Sequence, residues 1–127
     1  MPTRILVVED DQNIAMLLQY NLEAAGYVVE HIARGDDAEQ LIDQSTPDLI
    51  VLDWLLPGTS GIELCRRIRS KLRFDKLPII MMTARTDRAD RDFAMKLGAD
   101  DLLTKPFALS DLLARAQFLL ARMASAA

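Results

Sequence analysis

The sequence predicts an α/β fold in which a five-stranded parallel sheet carries helices on both faces. Five short runs rich in β-branched residues alternate with five segments whose apolar residues have helical spacing. The runs are nearly continuous in apolar residues, which is typical of strands covered on both faces. Right-handed crossovers leave few strand orders. The order 2-1-3-4-5 fits best because the first, third and fourth runs are the most apolar.

Each element follows from its own apolar pattern. The predicted strands are residues 5–8, 28–32, 49–52, 79–82 and, more weakly, 101–104. The first helix has a stripe formed by Ile14, Leu17, Leu18, Leu22 and Ala25, and Gly26 is expected to end it. The later stripes are Ala38, Leu41 and Ile42, then Ile62, Cys65 and Ile68, then Phe93, Ala94 and Leu97, and finally apolar residues from Leu109 to Met123.

Length and composition limit the classes of protein. The 127 residues suffice for one domain, which we expect at residues 1–123, with residues 124–127 beginning a linker. The net charge of −4 argues against nucleic-acid binding by bulk charge. No signal peptide or membrane-length apolar run is visible, so we expect a cytoplasmic domain without membrane contact. A single cysteine, Cys65, excludes an internal disulfide and a cysteine-based zinc site.

Polar side chains stand where the predicted strands end. The first strand runs into Glu9, Asp10 and Asp11, and the third into Asp53. The fourth strand ends in Thr83 and the fifth runs into Lys105. In a doubly wound sheet, ligands bind at the carboxyl ends of the strands. We therefore expect these side chains to meet at one edge, with Asp11 acting as a helix N-cap.

These residue types indicate phosphoryl-transfer chemistry. Two carboxylates ~4 Å apart repel by about 4 kcal/mol at an effective dielectric constant of ~20, so a cation must compensate them. All-oxygen ligands favour Mg²⁺, or Mn²⁺, over zinc. Lys105 can hold a phosphate-like anion. A carboxylate nucleophile would give an acyl phosphate, with positioning and charge neutralisation providing most of the catalysis.

Two other classes of function fit the sequence less well. A phosphatase with a paired-aspartate motif needs a general acid two residues after its nucleophile, where this chain has Leu55. A flavin- or nucleotide-binding domain needs a glycine-rich turn after the first strand, where this chain has Glu9, Asp10 and Asp11. His31, the only histidine, is interpreted as structural, so the phosphoryl donor must be external.

The chain closely resembles the receiver domain of two-component response regulators. The matching blocks are ILVVEDD (5–11), PDLIVLDWLLPGTSGIELCRRIR (47–69), LPIIMMTAR (77–85) and GADDLLTKPF (98–107). The tryptophan after Asp53, the LPG turn and GADD before TKPF are most similar to the OmpR/PhoB subfamily and its phosphate-responsive members. The resemblance implies a flavodoxin-like (βα)5 fold.

The resemblance also implies a role for each residue of the edge. Asp53 matches the phosphoacceptor, which takes its phosphoryl group from a sensor histidine kinase. Thr83 matches the hydroxyl, and Lys105 the ammonium, that contact this group, and the Lys105–Pro106 peptide is expected to be cis. The implied Mg²⁺ ligands are Glu9, Asp10, Asp53 and the backbone carbonyl of Leu55. The resemblance therefore implies that the chain acts as a signalling switch rather than as an enzyme.

One departure concerns the switch. The family usually has Tyr or Phe three residues before the lysine, and this chain has Leu102. Leucine has neither a ring nor a hydroxyl, so coupling between Thr83 and this position is in doubt.

The resemblance further implies a homodimer. Its face comprises the fourth helix, fifth strand and fifth helix, with Arg91 pairing Asp111 and Asp101 pairing Arg115 across a two-fold axis. DNA binding would require an effector domain that these residues do not contain. The alternative is a stand-alone receiver acting through protein–protein contacts.

Overall fold

The computed structural model of the chain describes residues 2–126. The strands β1 to β5 are Arg4–Val8, Val28–Ile32, Leu49–Asp53, Ile79–Thr83 and Asp101–Thr104. The helices α1 to α5 are Gln12–Ala24, Gly35–Gln44, Gly61–Arg69, Arg88–Leu97 and Leu109–Ala126, and a 3-10 turn occupies Leu72–Phe74.

The sheet is parallel throughout and has the order β2-β1-β3-β4-β5. The predicted fold class and strand order are therefore confirmed. β3 and β4 each extend one residue beyond the predicted ranges, so that Asp53 and Thr83 are the last residues of their strands.

Alternate residues of the strands pack on opposite faces of the sheet. Leu6, Val8, Ile50, Leu52, Ile79 and Met81 face a core built with α2, α3 and α4. Ile5, Val7, Leu49, Val51, Ile80 and Met82 face a second core built with α1 and α5. Each fully buried Ile or Leu contributes about 1.5–3 kcal/mol relative to exposure. Because β3 and β4 are buried along their whole length, the centre of the sheet is a fixed base for the residues at its edge.

Local signals set the helix ends. The side chain of Asp11 accepts hydrogen bonds from the backbone N–H groups of Asn13 and Ile14, which confirms it as the N-cap of α1. Gly98 ends α4 with a φ of 116°, a left-handed conformation that favours glycine. Residues 124–126, where we expect a linker to begin, are helical and form the last turn of α5, and residue 127 lies outside the described residues.

Two residues of the predicted stripes behave differently from each other. Cys65 is fully buried, and burial raises the pKa of its thiol to about 11, as suits a core residue. Leu17, placed by its spacing on the buried stripe of α1, is instead 53% exposed. Within residues 2–126, no helix is long and apolar enough to cross a membrane.

Candidate functional site

Strand register brings three carboxylates to one end of the sheet. Val8 lies opposite Leu52 in the β1–β3 pair, so the chain next places Glu9 beside Asp53. One oxygen from each of Glu9, Asp10 and Asp53 lies within 4.8 Å of the others. Glu9 and Asp53 are buried, whereas Asp10 is exposed. The predicted acidic cluster is therefore present and opens to solvent at Asp10.

Lys105 reaches the same cluster from the far side of the sheet. The backbone N–H of Lys105 donates to the carbonyl of Thr83, directly after the opposed pair Thr83 and Thr104. Its Nζ lies 2.7 Å from Oε1 of Glu9 and 3.2 Å from Oδ1 of Asp53. A single ammonium thus pairs with both buried carboxylates.

This arrangement separates the protonation of the two buried acids. Burial, together with the neighbouring Glu9 carboxylate, raises the pKa of Asp53 to about 7 in spite of Lys105. Burial also opposes ionisation of Glu9, but hydrogen bonds from Lys105, Asp53 and the Asp11 backbone hold its pKa below the usual value. Burial likewise opposes the charge of Lys105, and its carboxylate partners outweigh that effect and raise its pKa. Lys105 therefore favours the ionised form of Glu9, whereas it only partly offsets the effects that disfavour a negative charge on Asp53.

Thr83 is buried at the end of β4, and a hydrogen bond fixes the position of its side-chain oxygen. Its Oγ1 accepts a hydrogen bond of 2.9 Å from the backbone N–H of Arg85. Because this bond uses an acceptor site of the oxygen, the hydroxyl hydrogen remains available to a group at the edge of the sheet. The guanidinium of Arg85 lies 5.2 Å from the ring centre of Trp54, the residue that follows Asp53.

The loop after β3 is held tightly against the acceptor strand. The backbone N–H of Gly61 donates to the carbonyl of Trp54 at 2.8 Å. A Cβ at position 61 would lie 1.8 Å from the carbonyl oxygen of Asp53, so only glycine fits there. Leu55, the predicted carbonyl ligand, lies in this loop with its side chain exposed.

The side chain of His31 contacts the acidic cluster through the backbone carbonyl of Glu9. Its Nε2 lies 2.7 Å from the carbonyl oxygen of Glu9. The backbone N–H of Glu9 donates to the carbonyl of Ile32 at 3.0 Å. The edge strand β2 therefore holds both backbone groups of Glu9.

The predicted switch position is filled by an apolar side chain. Leu102 is 3% exposed and packs in the core formed with α2, α3 and α4. The Lys105–Pro106 peptide that follows is cis, as the resemblance implied.

The residues predicted at the dimer face share one surface but pair differently within a single chain. Arg91, Asp111 and Arg115 line one shallow groove. Arg115 forms ion pairs with Asp101 and, at 3.0 Å, with Asp111 of the same chain. Arg91 donates to Oγ1 of Thr104 at 2.7 Å. In the single chain, both aspartates are therefore already engaged by Arg115.

An apolar groove of about 330 Å³ adjoins the cluster. It lies between α1 and the start of α5. The residues lining it are Ile14, Leu17, Leu18, Lys105, Pro106, Phe107 and Leu109. Met16 and Tyr20, also on α1, are 67% and 74% exposed. The groove is therefore an apolar surface that shares Lys105 with the acidic cluster.

Three residues at or near the site were not predicted from the sequence to lie there. Arg85 could have been found from its position two residues after Thr83, a spacing at which a hydroxyl oxygen commonly accepts a backbone N–H. Leu17 looked like a core residue because its spacing suits one. His31 carried no signal, since its contact depends on how β2 is aligned with β1.

Comparisons with known proteins agree with this geometry. Residues 5–117 match the family model of the response regulator receiver domain. The phosphate regulon transcriptional regulatory protein PhoB of Rhizobium meliloti (strain 1021) is 49% identical over 122 residues. That alignment covers 96% of this chain but 54% of PhoB, so the chain spans about half the length of this relative.

Solved structures give the same fold. A CheY-like response regulator receiver domain protein from Methanospirillum hungatei JF-1 matches with a TM-score of 0.92 and 28% identity, covering 100% of both chains. The receiver domain of a sensor histidine kinase from Pseudomonas aeruginosa PAO1 matches with a TM-score of 0.86 and 30% identity, covering 95% of this chain and 99% of the other. A magnesium ion is coordinated in the active-site cleft of that domain. With its acidic cluster, lysine and strand order, this chain belongs to the response regulator receiver domain family and is of the OmpR/PhoB type.

Proposed function

We propose that this chain is a phosphoacceptor domain in which Asp53 receives a phosphoryl group from a sensor histidine kinase. The observation that carries the proposal is the position of Asp53. Its carboxylate is buried at the end of the central strand β3, 3.2 Å from Lys105 and within the reach of two further acids. Lys105 supplies the positive charge and Thr83 the hydroxyl that a transferred phosphoryl group requires.

A divalent cation fits the remaining charge of the site. Glu9, Asp10 and Asp53 offer carboxylate oxygens close enough to share one ion, and hard oxygen ligands suit Mg²⁺ or Mn²⁺. We propose that the backbone carbonyl of Leu55 completes this set. The bound cation would neutralise charge on the phosphoryl oxygens and on the acceptor.

The transfer itself requires little of the protein beyond position and charge. An Oδ atom of Asp53 attacks the phosphorus of the donor phosphohistidine, the P–N bond breaks, and its electron pair leaves with the imidazole nitrogen. Lys105 and the Thr83 hydroxyl hold the oxygens of the moving group. The product is an acyl phosphate on Asp53, so the protein changes state and acts as a switch rather than as an enzyme.

The groove beside Lys105 is the proposed docking surface for the kinase. A phosphohistidine must approach Asp53 from the solvent side, and the apolar residues of α1 and Phe107 line a groove that includes Lys105, the residue paired with Asp53. Exposed apolar surface rimmed by polar groups is typical of interaction sites.

The response is proposed to be dimerisation through α4, β5 and α5. Arg91 would pair with Asp111, and Asp101 with Arg115, of a second copy related by a two-fold axis. In a longer protein like the PhoB relative, this association would control transcription through a DNA-binding domain. A stand-alone receiver acting in the cytoplasm by protein contacts is the alternative. With Leu102 in place of the usual aromatic residue, the switch would act through packing alone.

Phosphorylation can be tested directly. The domain is incubated with Mg²⁺ and acetyl phosphate and examined by intact-mass spectrometry, beside Asp53→Ala and a chelator control. We expect a mass gain of one phosphoryl group that needs both Asp53 and Mg²⁺. An unchanged mass in the wild-type protein, or the same gain in Asp53→Ala, would overturn the proposal.

A further inference from the structure

We propose that His31 is a positioning residue for the metal-binding acids, acting through the backbone of Glu9; the proposal rests on the cation-dependent function proposed above. His31 lies on the edge strand β2 and belongs to neither the acidic cluster nor its charge balance. Its contact with the site is the 2.7 Å separation between Nε2 and the Glu9 carbonyl oxygen.

The contact extends the sheet by one hydrogen bond beyond its last paired residues. The β1–β2 register ends with Val8 opposite Ile32. Beyond it, the N–H of Glu9 still donates to the carbonyl of Ile32, but the Glu9 carbonyl is bonded by a side chain. The imidazole of His31 thus takes the place of the backbone N–H donor that would continue the hydrogen bonding between β1 and β2.

The donor is fixed by the chemistry of its partner. A carbonyl oxygen only accepts, so Nε2 must carry the hydrogen. Both the neutral Nε2–H tautomer and the charged ring meet this requirement.

The Glu9 carbonyl belongs to the peptide group that joins Glu9 to Asp10. Fixing the direction of that carbonyl fixes the plane of the peptide and hence the direction in which Asp10 leaves the strand. Glu9 is buried and anchored by Lys105, whereas Asp10 is exposed. Asp10 therefore depends on its backbone for alignment with the other two acids, and His31 sets that backbone.

Isothermal titration calorimetry with Mg²⁺ tests this role. In His31→Leu, which has no donor, we expect the dissociation constant for Mg²⁺ to rise about tenfold, the lower end of the range for groups that orient metal ligands. In His31→Gln, whose amide nitrogen is the same number of bonds from Cα as Nε2, we expect affinity close to wild type. Rescue by glutamine separates a donated hydrogen bond from the packing of a ring.

The matched control is Glu30→Gln on the same strand. Glu30 pairs with Arg4 at 2.7 Å, away from the acids, so its loss perturbs β2 without touching the Glu9 carbonyl. Wild-type Mg²⁺ affinity is expected there. Unchanged affinity in His31→Leu, no rescue in His31→Gln, or an equal loss in Glu30→Gln would each overturn the role of His31 while leaving the proposed function intact. Absence of Mg²⁺ binding by the wild-type domain would overturn both.

Discussion

The ammonium of Lys105 lies 2.7 Å from Oε1 of Glu9, although the two residues are 96 positions apart in the chain. Glu9 is 1% exposed at its side chain and Lys105 22%, so water screens this ion pair weakly. The same ammonium is 3.2 Å from Asp53. Lys105 is therefore a structural counter-ion as well as the proposed partner of the phosphoryl group.

Removing this counter-ion should destabilise the fold. In Lys105→Met we expect the free energy of unfolding at pH 7 to fall by about 2–4 kcal/mol, because a buried Glu9 carboxylate loses its partner. The destabilisation caused by Lys105→Met should be smaller at pH 4.5, because protonation of the carboxyl groups of Glu9 and Asp53 relieves the repulsion between them. Urea denaturation at both pH values measures it. Lys76→Met, at an exposed lysine, is the control. Equal stability of Lys105→Met and wild type at pH 7 would contradict the assigned ion pair.

Asp53 should make the metal-free domain less stable as the pH rises. Its pKa is about 7 in the fold against 3.8 as the ordinary value, so between these limits the folded state holds a proton that the unfolded state has lost. Stability then falls with rising pH across this interval. In Asp53→Asn, without metal, we expect a gain on the order of 4 kcal/mol at pH 8 and almost none at pH 4. Thermal unfolding with a chelator checks this, and a gain of the same size at both pH values would contradict it.

The α1 groove should matter for transfer from a kinase but not for the chemistry at Asp53. We expect Leu17→Ser to slow phosphotransfer from a purified sensor kinase about tenfold, the effect of losing ~1.4 kcal/mol of apolar contact. Labelling by acetyl phosphate should be unchanged. Leu72→Ser is a matched control, because Leu72 is 84% exposed in the turn before β4, at the opposite end of the sheet. Equal slowing with both donors would refute a docking role.

Arg115 should contribute more to the dimer than to the single chain. Its pairs with Asp101 and Asp111 are partly exposed, so Arg115→Ala should change folding stability by less than about 1 kcal/mol. We expect the dimer dissociation constant of the beryllofluoride-treated protein to rise about tenfold, since a two-fold axis uses each pair twice. Sedimentation velocity measures it. Arg66→Ala, which removes an exposed pair with Glu63 on α3, is the control. An unchanged dimer in Arg115→Ala would refute this interface.

The strands were predictable because their apolar runs are continuous and bounded by polar residues. The same boundaries located Glu9, Asp53, Thr83 and Lys105, since parallel strands end at one edge. The sequence could not reveal contacts that depend on alignment between strands, such as that of His31 with the Glu9 carbonyl. It also misplaced Leu17, because helical spacing identifies an apolar stripe but not how far the neighbouring elements cover it. The ion pairs of Arg115 escaped prediction because neighbouring side chains in one chain compete with those of a partner.

The difference between β3 and α4 gives the molecule a division between rigid and compliant parts. All five residues of β3 are buried, whereas α4 buries one residue, Ala94, of the ten that the structure describes there. Local opening of a buried central strand costs nearly the whole free energy of unfolding, and displacement of a lightly packed helix costs far less. If Asp53 is phosphorylated as proposed, the added charge lies at the end of a strand that is costly to displace, whereas α4, with one buried residue, can be displaced at lower cost. The uneven depth of packing would then direct the response to phosphorylation toward α4.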